Sequence, residues 1–204
     1  MSLATPQSEQ RVLLRSVSWQ TYEALADNAD RAGRLMTYDQ GLLEIISPSI
    51  AHESDKSLLR RLVEMYSLVR GIDLASSAST TFKRPDLKRG FEADESYYIQ
   101  NERLVRGKRE IDLAIDPPPD LVIEIEMTRS AINKLARLAR IGVPEVWRHD
   151  GQTLWLGRLS HDDYQSIAES EVLAGFPVDE AVATLKAVGS ASETQLIQRF
   201  VDRL

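Results

Sequence analysis

The chain has 204 residues, 43% hydrophobic and 27% charged, the balance of an ordinary globular domain with a substantial core. It holds no cysteine, which excludes disulfides, thiolate catalysis and cysteine-based zinc sites. A net charge of −6 weighs against a protein that coats nucleic acid, yet not against a nuclease, whose metal-holding carboxylates add to that negative sum.

The N-terminus MSLATPQSEQRVLL lacks a basic stretch followed by an apolar run, and no segment approaches the ~18–20 apolar residues of a membrane helix. A cytoplasmic protein without a membrane partner is the expectation. Residues 1–17 read as an N-terminal arm, loose to about Arg15. Ser18 to Asp30 reads as a short helix capped by Ser18, and Arg34 to Ser47 as a β-hairpin turning at Asp39, Gln40 and Gly41. The clearest helix runs from Ser47 to Gly71, with Leu58, Leu62, Met65 and Val69 at helical spacing. Leu74 to Pro85 and Phe91 to Asn101 each read as one strand. The apolar strand DLVIEIEMT follows. Then comes a helix through SAINKLARLARIG, capped by Thr128 or Ser130 and ended by Gly142, and the strand VPEVW. A crossover helix joins parallel neighbours, so those two strands are expected to lie parallel in a mixed α/β core. Trp147 and Trp155 are assigned to the core, His149 and His161 to the surface. Residues 177–204 form a helical extension with a Ser192/Gln195 capping box. Its stripe of Leu196, Ile197, Phe200 and Leu204 packs on its own domain or on a second copy, and a homodimer is expected.

Two features of the middle carry chemistry. Glu124 and Glu126 share one face of an apolar strand, about 6–7 Å apart, so a cation, a proton or open water has to compensate their repulsion. Asp94 is likewise a carboxylate set within strand sequence, sharing a face with Glu92 and Ser96; Glu92 and Glu95 are assigned to the surface. Lys134 follows Glu126 by eight residues and falls early in the next helix. Asp94, Glu124, Glu126 and Lys134 therefore make a candidate site suited to Mg²⁺ or Mn²⁺. Arg137 and Arg140 read as a solvated or phosphate-contacting helix face. His52, Glu53 and Glu44 are possible pocket residues.

Taken together, GFEADESYYI, PPDLVIEIEMTRSAINKL, ARIGVPEVWRHDG and the upstream GLLEIISPSIAHE resemble the Uma-type family of restriction-endonuclease-like proteins, within the PD-(D/E)XK superfamily. The resemblance covers Ser18 to Phe176. It implies a central four- or five-stranded mixed sheet flanked by helices, and metal-assisted hydrolysis of phosphodiesters in nucleic acid, DNA first. It assigns Asp94 to the first acidic motif and Glu124 to the second. The superfamily's lysine stands two residues after that acid, where this chain has Glu126. The resemblance implies that the lysine comes from the next helix, at Lys134. Glu126 is then either a metal ligand or the acceptor of a proton from the attacking water. The competing reading is a catalytically silent module for DNA binding or protein interaction, favoured by Glu126 and the negative net charge. A third is a hydrolase of smaller phosphate esters, which a closed, narrow pocket would favour.

Overall fold

The computed structural model describes residues 9–28, 33–128 and 130–204. Two sheets divide the strands. The first has five, in the order β1-β3-β2-β6-β5, all antiparallel: β1 (Gln10–Leu14), β2 (Leu35–Asp39), β3 (Leu42–Ser47), β5 (Thr81–Arg84) and β6 (Arg89–Glu92). The second has six, in the order β11-β10-β9-β8-β7-β4: β4 (Ala75–Ser76), β7 (Glu95–Tyr98), β8 (Leu121–Ile125), β9 (Glu145–His149), β10 (Leu154–Ser160) and β11 (Asp163–Ile167). Only β8 and β9 run parallel, as their connecting helix requires, so this central sheet is mixed but larger than expected.

Three expectations are corrected here. Residues 10–14, assigned to a loose arm, are strand β1, because their amides pair with β3. Leu74–Pro85 and Phe91–Asn101 each break in two, and in both cases the halves join different sheets. Phe91 and Phe82 stack across β6 and β5 with centroids 5.0 Å apart, while Tyr97 enters the core of the second sheet.

Helix α1 (Trp19–Ala26) is capped by Ser18 and covers the first sheet through Tyr22, which stacks on Tyr38 at 4.8 Å. Helix α2 (Ile50–Arg70) starts at Ser49, whose hydroxyl accepts from the His52 amide, and ends at Gly71 in the left-handed region. A single turn, α3 (Glu102–Val105), follows β7. Helix α4 (Lys134–Ile141) is capped by Asn133 Oδ1, which accepts from Ala136 N at 3.0 Å; Thr128 and Ser130 do not cap it. Helices α5 (Val178–Lys186) and α6 (Glu193–Val201) pack on α2, and the expected Ser192/Gln195 capping box opens α6. The stripe of Leu196, Ile197 and Phe200 is therefore buried on its own domain.

Alternation along β8 sorts the layers. Leu121, Ile123 and Ile125 face α2 together with Trp147, Leu185 and Phe200. Val122 faces α4, joining Leu138, Val146 and Phe91. Glu124 shares the Val122 side and is thereby brought under α4. Trp147 is fully buried, and Trp155 is half-buried against the second cluster.

Gly90 fixes how α1 seats on the first sheet. A Cβ there would lie 2.1 Å from the Tyr22 hydroxyl oxygen and 2.6 Å from two ring carbons, and the Tyr22 ring is fully buried. Gly90→Ala is expected to lower unfolding free energy by about 1–3 kcal/mol, read by urea denaturation. An unchanged urea midpoint would show that the ring can yield.

Candidate active site

The site is assembled where the chain leaves one sheet and enters the other. The register of β7 on β8 ends at Glu95 opposite Ile123. Beyond it the Ile125 amide donates to Asp94 Oδ2 at 2.7 Å, so a side-chain carboxylate takes the place of the backbone ladder. Asp94 Oδ1 lies 2.8 Å from His52 Nε2, one turn into α2. His52 Nδ1 lies 2.9 Å from Glu9 Oε2. Both ring nitrogens thus face carboxylate oxygens, the arrangement of an imidazolium donating twice. Burial alone would lower the His52 pKa, but its hydrogen bonds and charge contacts with Asp94 and Glu9 outweigh burial and raise it. For Asp94, burial works upward and is outweighed by the His52 hydrogen bond and the Lys134 charge, which hold it below the usual carboxylate range.

Glu124 and Lys134 form the second half. Lys134, the first residue of α4, is ion-paired through Nζ with Glu124 Oε2. A helical side chain leans toward the helix N-terminus, which is why the first residue of α4 reaches back to β8. Glu124 Oε1 is buried and has no hydrogen-bond partner among the described residues. Burial raises the Glu124 pKa, and nearby Asp94 adds to it against Lys134. Lys134 is held above its ordinary value because Glu124 and Asp94 outweigh its burial.

Glu126 stands one residue past β8. It accepts from Ser130 N at 3.1 Å and pairs with Arg148 Nε at 3.3 Å. With Glu124, Lys134, Ser130, Ile132 and Arg148 it lines a cleft of about 700 Å³. Among the described residues no three His, Asp or Glu side chains gather closely enough to hold a metal ion, so Asp94, Glu124 and Glu126 do not form a three-ligand cage. A divalent ion still fits a smaller set. The orphaned Glu124 oxygen and the adjacent Asp94 are hard oxygen donors, and Mg²⁺ is commonly held by one or two carboxylates plus substrate phosphates.

Glu44 is buried and joins the site from β3. It accepts from Ala131 N at 2.9 Å, Ser130 Oγ at 2.6 Å and Arg11 Nη1 at 3.1 Å. Glu53 is more than half exposed and paired with Lys56, away from this network. Four surface assignments are overturned. Glu92 is buried, accepting from Met36 N and Thr81 Oγ1. Glu95 is buried with one oxygen lacking a hydrogen bond among the described residues, and burial pushes its pKa up to about 7 against the charges of Arg60 and Lys56. His149 is buried, with Nδ1 donating to Thr153 O at 2.9 Å and Nε2 lying 3.2 Å from Asp55 Oδ2. Arg137 is 1% exposed and lies over the Phe91 ring at 5.3 Å, whereas Arg140 and His161 are exposed as expected. Glu9 and Arg11 were missed altogether. Their only signal is a charged pair of opposite sign at (i, i+2) before an alternating run, which many surface strands share.

With this geometry in place, comparisons with known proteins decide the family. A family model described as "Putative restriction endonuclease" (Uma2) matches residues 19–185, most of the chain. The chain belongs to the Uma2 family. The same fold occurs in a crystal structure titled as a putative nuclease belonging to DUF820 from Anabaena variabilis. That structure is 16% identical with a TM-score of 0.53, over 90% of this chain and 99% of the other. The Uma2 chain therefore has the mixed α/β, restriction-endonuclease-like core expected. No curated protein matches it. No described helix is long and apolar enough to cross a membrane.

Two stability tests follow. Lys134→Met leaves the Glu124 carboxylate buried beside Asp94 without its cation, and is expected to cost about 3–5 kcal/mol by chemical denaturation. The double variant Lys134→Met/Glu124→Leu should cost clearly less, and equal costs would deny the pairing. The His52 contribution has the sign of a raised pKa. It is complete below the unfolded value of about 6.5 and is lost as pH rises through the folded value. The stability gap between the native chain and His52→Asn should be widest near about pH 6 and narrow as pH rises. A gap that widens with pH would contradict the double hydrogen bond.

Proposed function

We propose that this Uma2 protein is a divalent-metal-dependent endonuclease that hydrolyses phosphodiester bonds in nucleic acid, with DNA as substrate. The observation that carries it is the pairing of two buried carboxylates, Asp94 from the break between β6 and β7 and Glu124 from β8, with one lysine at the wall of an open cleft. Asp94 and Glu124 are close enough for each to respond to the charge of Lys134, and Glu124 keeps an oxygen without a hydrogen-bond partner among the described residues. A structural ion pair would be expected to satisfy both oxygens, since a buried acceptor left unpaired costs free energy.

Asp94 and Glu124 would hold Mg²⁺ or Mn²⁺, which supplies polarisation of the phosphoryl group and a lowered pKa for bound water. The residues of the chain do the remainder. His52 and the Ile125 amide fix the rotation of the Asp94 carboxylate. Lys134, charged and only 10% exposed, sits where it can meet the growing negative charge on a phosphate oxygen. Glu126 lines the same cleft and is the acceptor for the proton of the attacking water, while Arg148 beside it offers a cation to a neighbouring phosphate. Attack of the water oxygen on phosphorus breaks one P–O ester bond, and the departing oxygen takes a proton from solvent.

A second reading is a catalytically silent module. It draws on His52 and Lys134, which take one oxygen of Asp94 and one of Glu124 as ion pairs. Cleavage of supercoiled plasmid, linear duplex and single-stranded DNA with Mn²⁺, Mg²⁺ or EDTA separates the two. The endonuclease requires metal-dependent cleavage that falls at least about 100-fold in folded Asp94→Asn and Glu124→Gln. Native-level activity in either variant would sink the site assignment. Absence of cleavage on all three substrates would favour the silent module.

A further inference from the structure

We propose that Glu9 and Arg11 are positioning residues of the site, holding His52 on Asp94 and the loop before Lys134 through one continuous set of contacts. Both precede residue 19, where the match to the family begins, so membership of the family assigns them no role.

β1 is an edge strand, hydrogen-bonded to β3 alone, and its Val12 and Leu14 side chains are 52% and 40% exposed. Apolar burial therefore does little to hold this end of the chain. Its charged side chains are instead the enclosed ones: Glu9 is 1% exposed and Arg11 13%. Glu9 Oε2 meets His52 Nδ1 at 2.9 Å, while Glu9 Oε1 accepts from Arg11 Nε at 2.8 Å and from the Thr128 hydroxyl. Arg11 Nε also donates to Thr128 Oγ1 at 2.7 Å, and Arg11 Nη1 donates to Glu44 Oε2 at 3.1 Å. Glu44 in turn binds Ser130 and Ala131, immediately before the Asn133 cap of α4.

One strand thus touches both halves of the site. On one side it fixes the imidazole: an aromatic ring held at a single nitrogen can rotate or flip, whereas one held at both has a single orientation. On the other side it anchors the turn that aims Lys134 at Glu124. Neither Glu9 nor Arg11 lines the cleft, so each acts through its neighbours. Groups that orient a site in this manner typically account for about 10- to 100-fold in activity or metal affinity.

The activity arm of the test rests on the endonuclease reading, and the spectroscopic arm does not. Nitrogen-15 NMR of the full chain should show two exchange-protected ring N–H signals for His52. Glu9→Ala should lose the Nδ1–H signal, and Glu9→Gln, which retains an acceptor oxygen, should recover it. Val12→Ala, on the same strand but outside the network, should keep both. Arg11→Ala should shift the Ser130 and Ala131 amides, and Arg11→Lys should shift them less. In the cleavage assay, turnover should fall about 10- to 100-fold in Glu9→Ala and Arg11→Ala with little change in KM, while Val12→Ala stays near native. Both His52 signals surviving in Glu9→Ala would overturn the role of Glu9. Native Ser130 and Ala131 amides in Arg11→Ala would overturn that of Arg11. A turnover loss in Val12→Ala matching that of Glu9→Ala would reduce both to the stability of β1. Should the native chain cleave nothing, the NMR arm decides alone.

Discussion

The Asp94 carboxylate is the constraint around which the rest is arranged. A carboxylate at 1% exposure has to be hydrogen-bonded or it does not stay ionised, and its two oxygens recruit separate parts of the chain. Those parts are two, β8 and α2: Oδ2 takes the Ile125 amide, which would otherwise extend the β7–β8 ladder, so the ladder stops there. Oδ1 takes His52, which fixes the first turn of α2 against the end of β8. The backbone at Ala93 and Asp94 belongs to neither sheet, and this break lets β6 and β7 part company. The same hydrogen bonds that satisfy the acid thus set the junction between the sheets and the place where the site opens.

The surrounding charges follow from that burial. Glu9, Glu44, Asp94 and Glu124 are interleaved with Arg11, His52, Lys134 and, on electrostatic grounds, Arg137. Replacing one member would leave a partner uncompensated, and breaking a buried pair is costly even though forming it adds little net stability. Such a network is a poor way to stabilise a fold and an effective way to specify one geometry. Arg137 is the member least well accommodated. Burial lowers its pKa, and its guanidinium nitrogens have no hydrogen-bond partner among the described residues. Phe91 beneath it supplies a cation–π contact in place of a carboxylate.

Elements whose pattern is local could be read from the sequence, and those that depend on a change of partner could not. The alternation of β8, the Ser18 and Ser192 caps and the parallel β8–α4–β9 unit rest on short-range pattern, and the structure has them; the α2 stripe holds at Leu58, Leu62 and partly buried Met65 but not at Val69, which is 47% exposed. GFEADESYY also alternates without interruption, so nothing in it marks the point where the chain changes sheets. The surface assignments of Glu92 and Glu95 do not hold for that reason: Glu92 is enclosed within the first sheet by Met36 and Thr81, and Glu95 in the second sheet faces α2 at Arg60. His149 was misread because its neighbours Asp150 and Gly151 signal a turn, while the histidine itself remains the last residue of a buried strand. Asp94, Glu124 and Lys134, singled out by the spacing of acids and lysine and by the family resemblance, are brought together in the structure. Glu9 and Arg11 reach the site only through tertiary pairing of β1 with β3, and no spacing in the sequence encodes that.

Glu126 also follows from the same layout. A lysine two residues past Glu124 would sit beyond the end of β8, where the backbone turns toward Ser130 and the side chain meets Arg148 across the parallel pair. A cation there would face a cation. Glu126 is neutralised by Arg148 and ties the turn by accepting from the Ser130 amide. That turn, together with the Asn133 cap, starts α4 at Lys134 and directs the ammonium back onto Glu124. A carboxylate that accepts from a backbone amide ties this segment in a way that a lysine, which only donates, cannot.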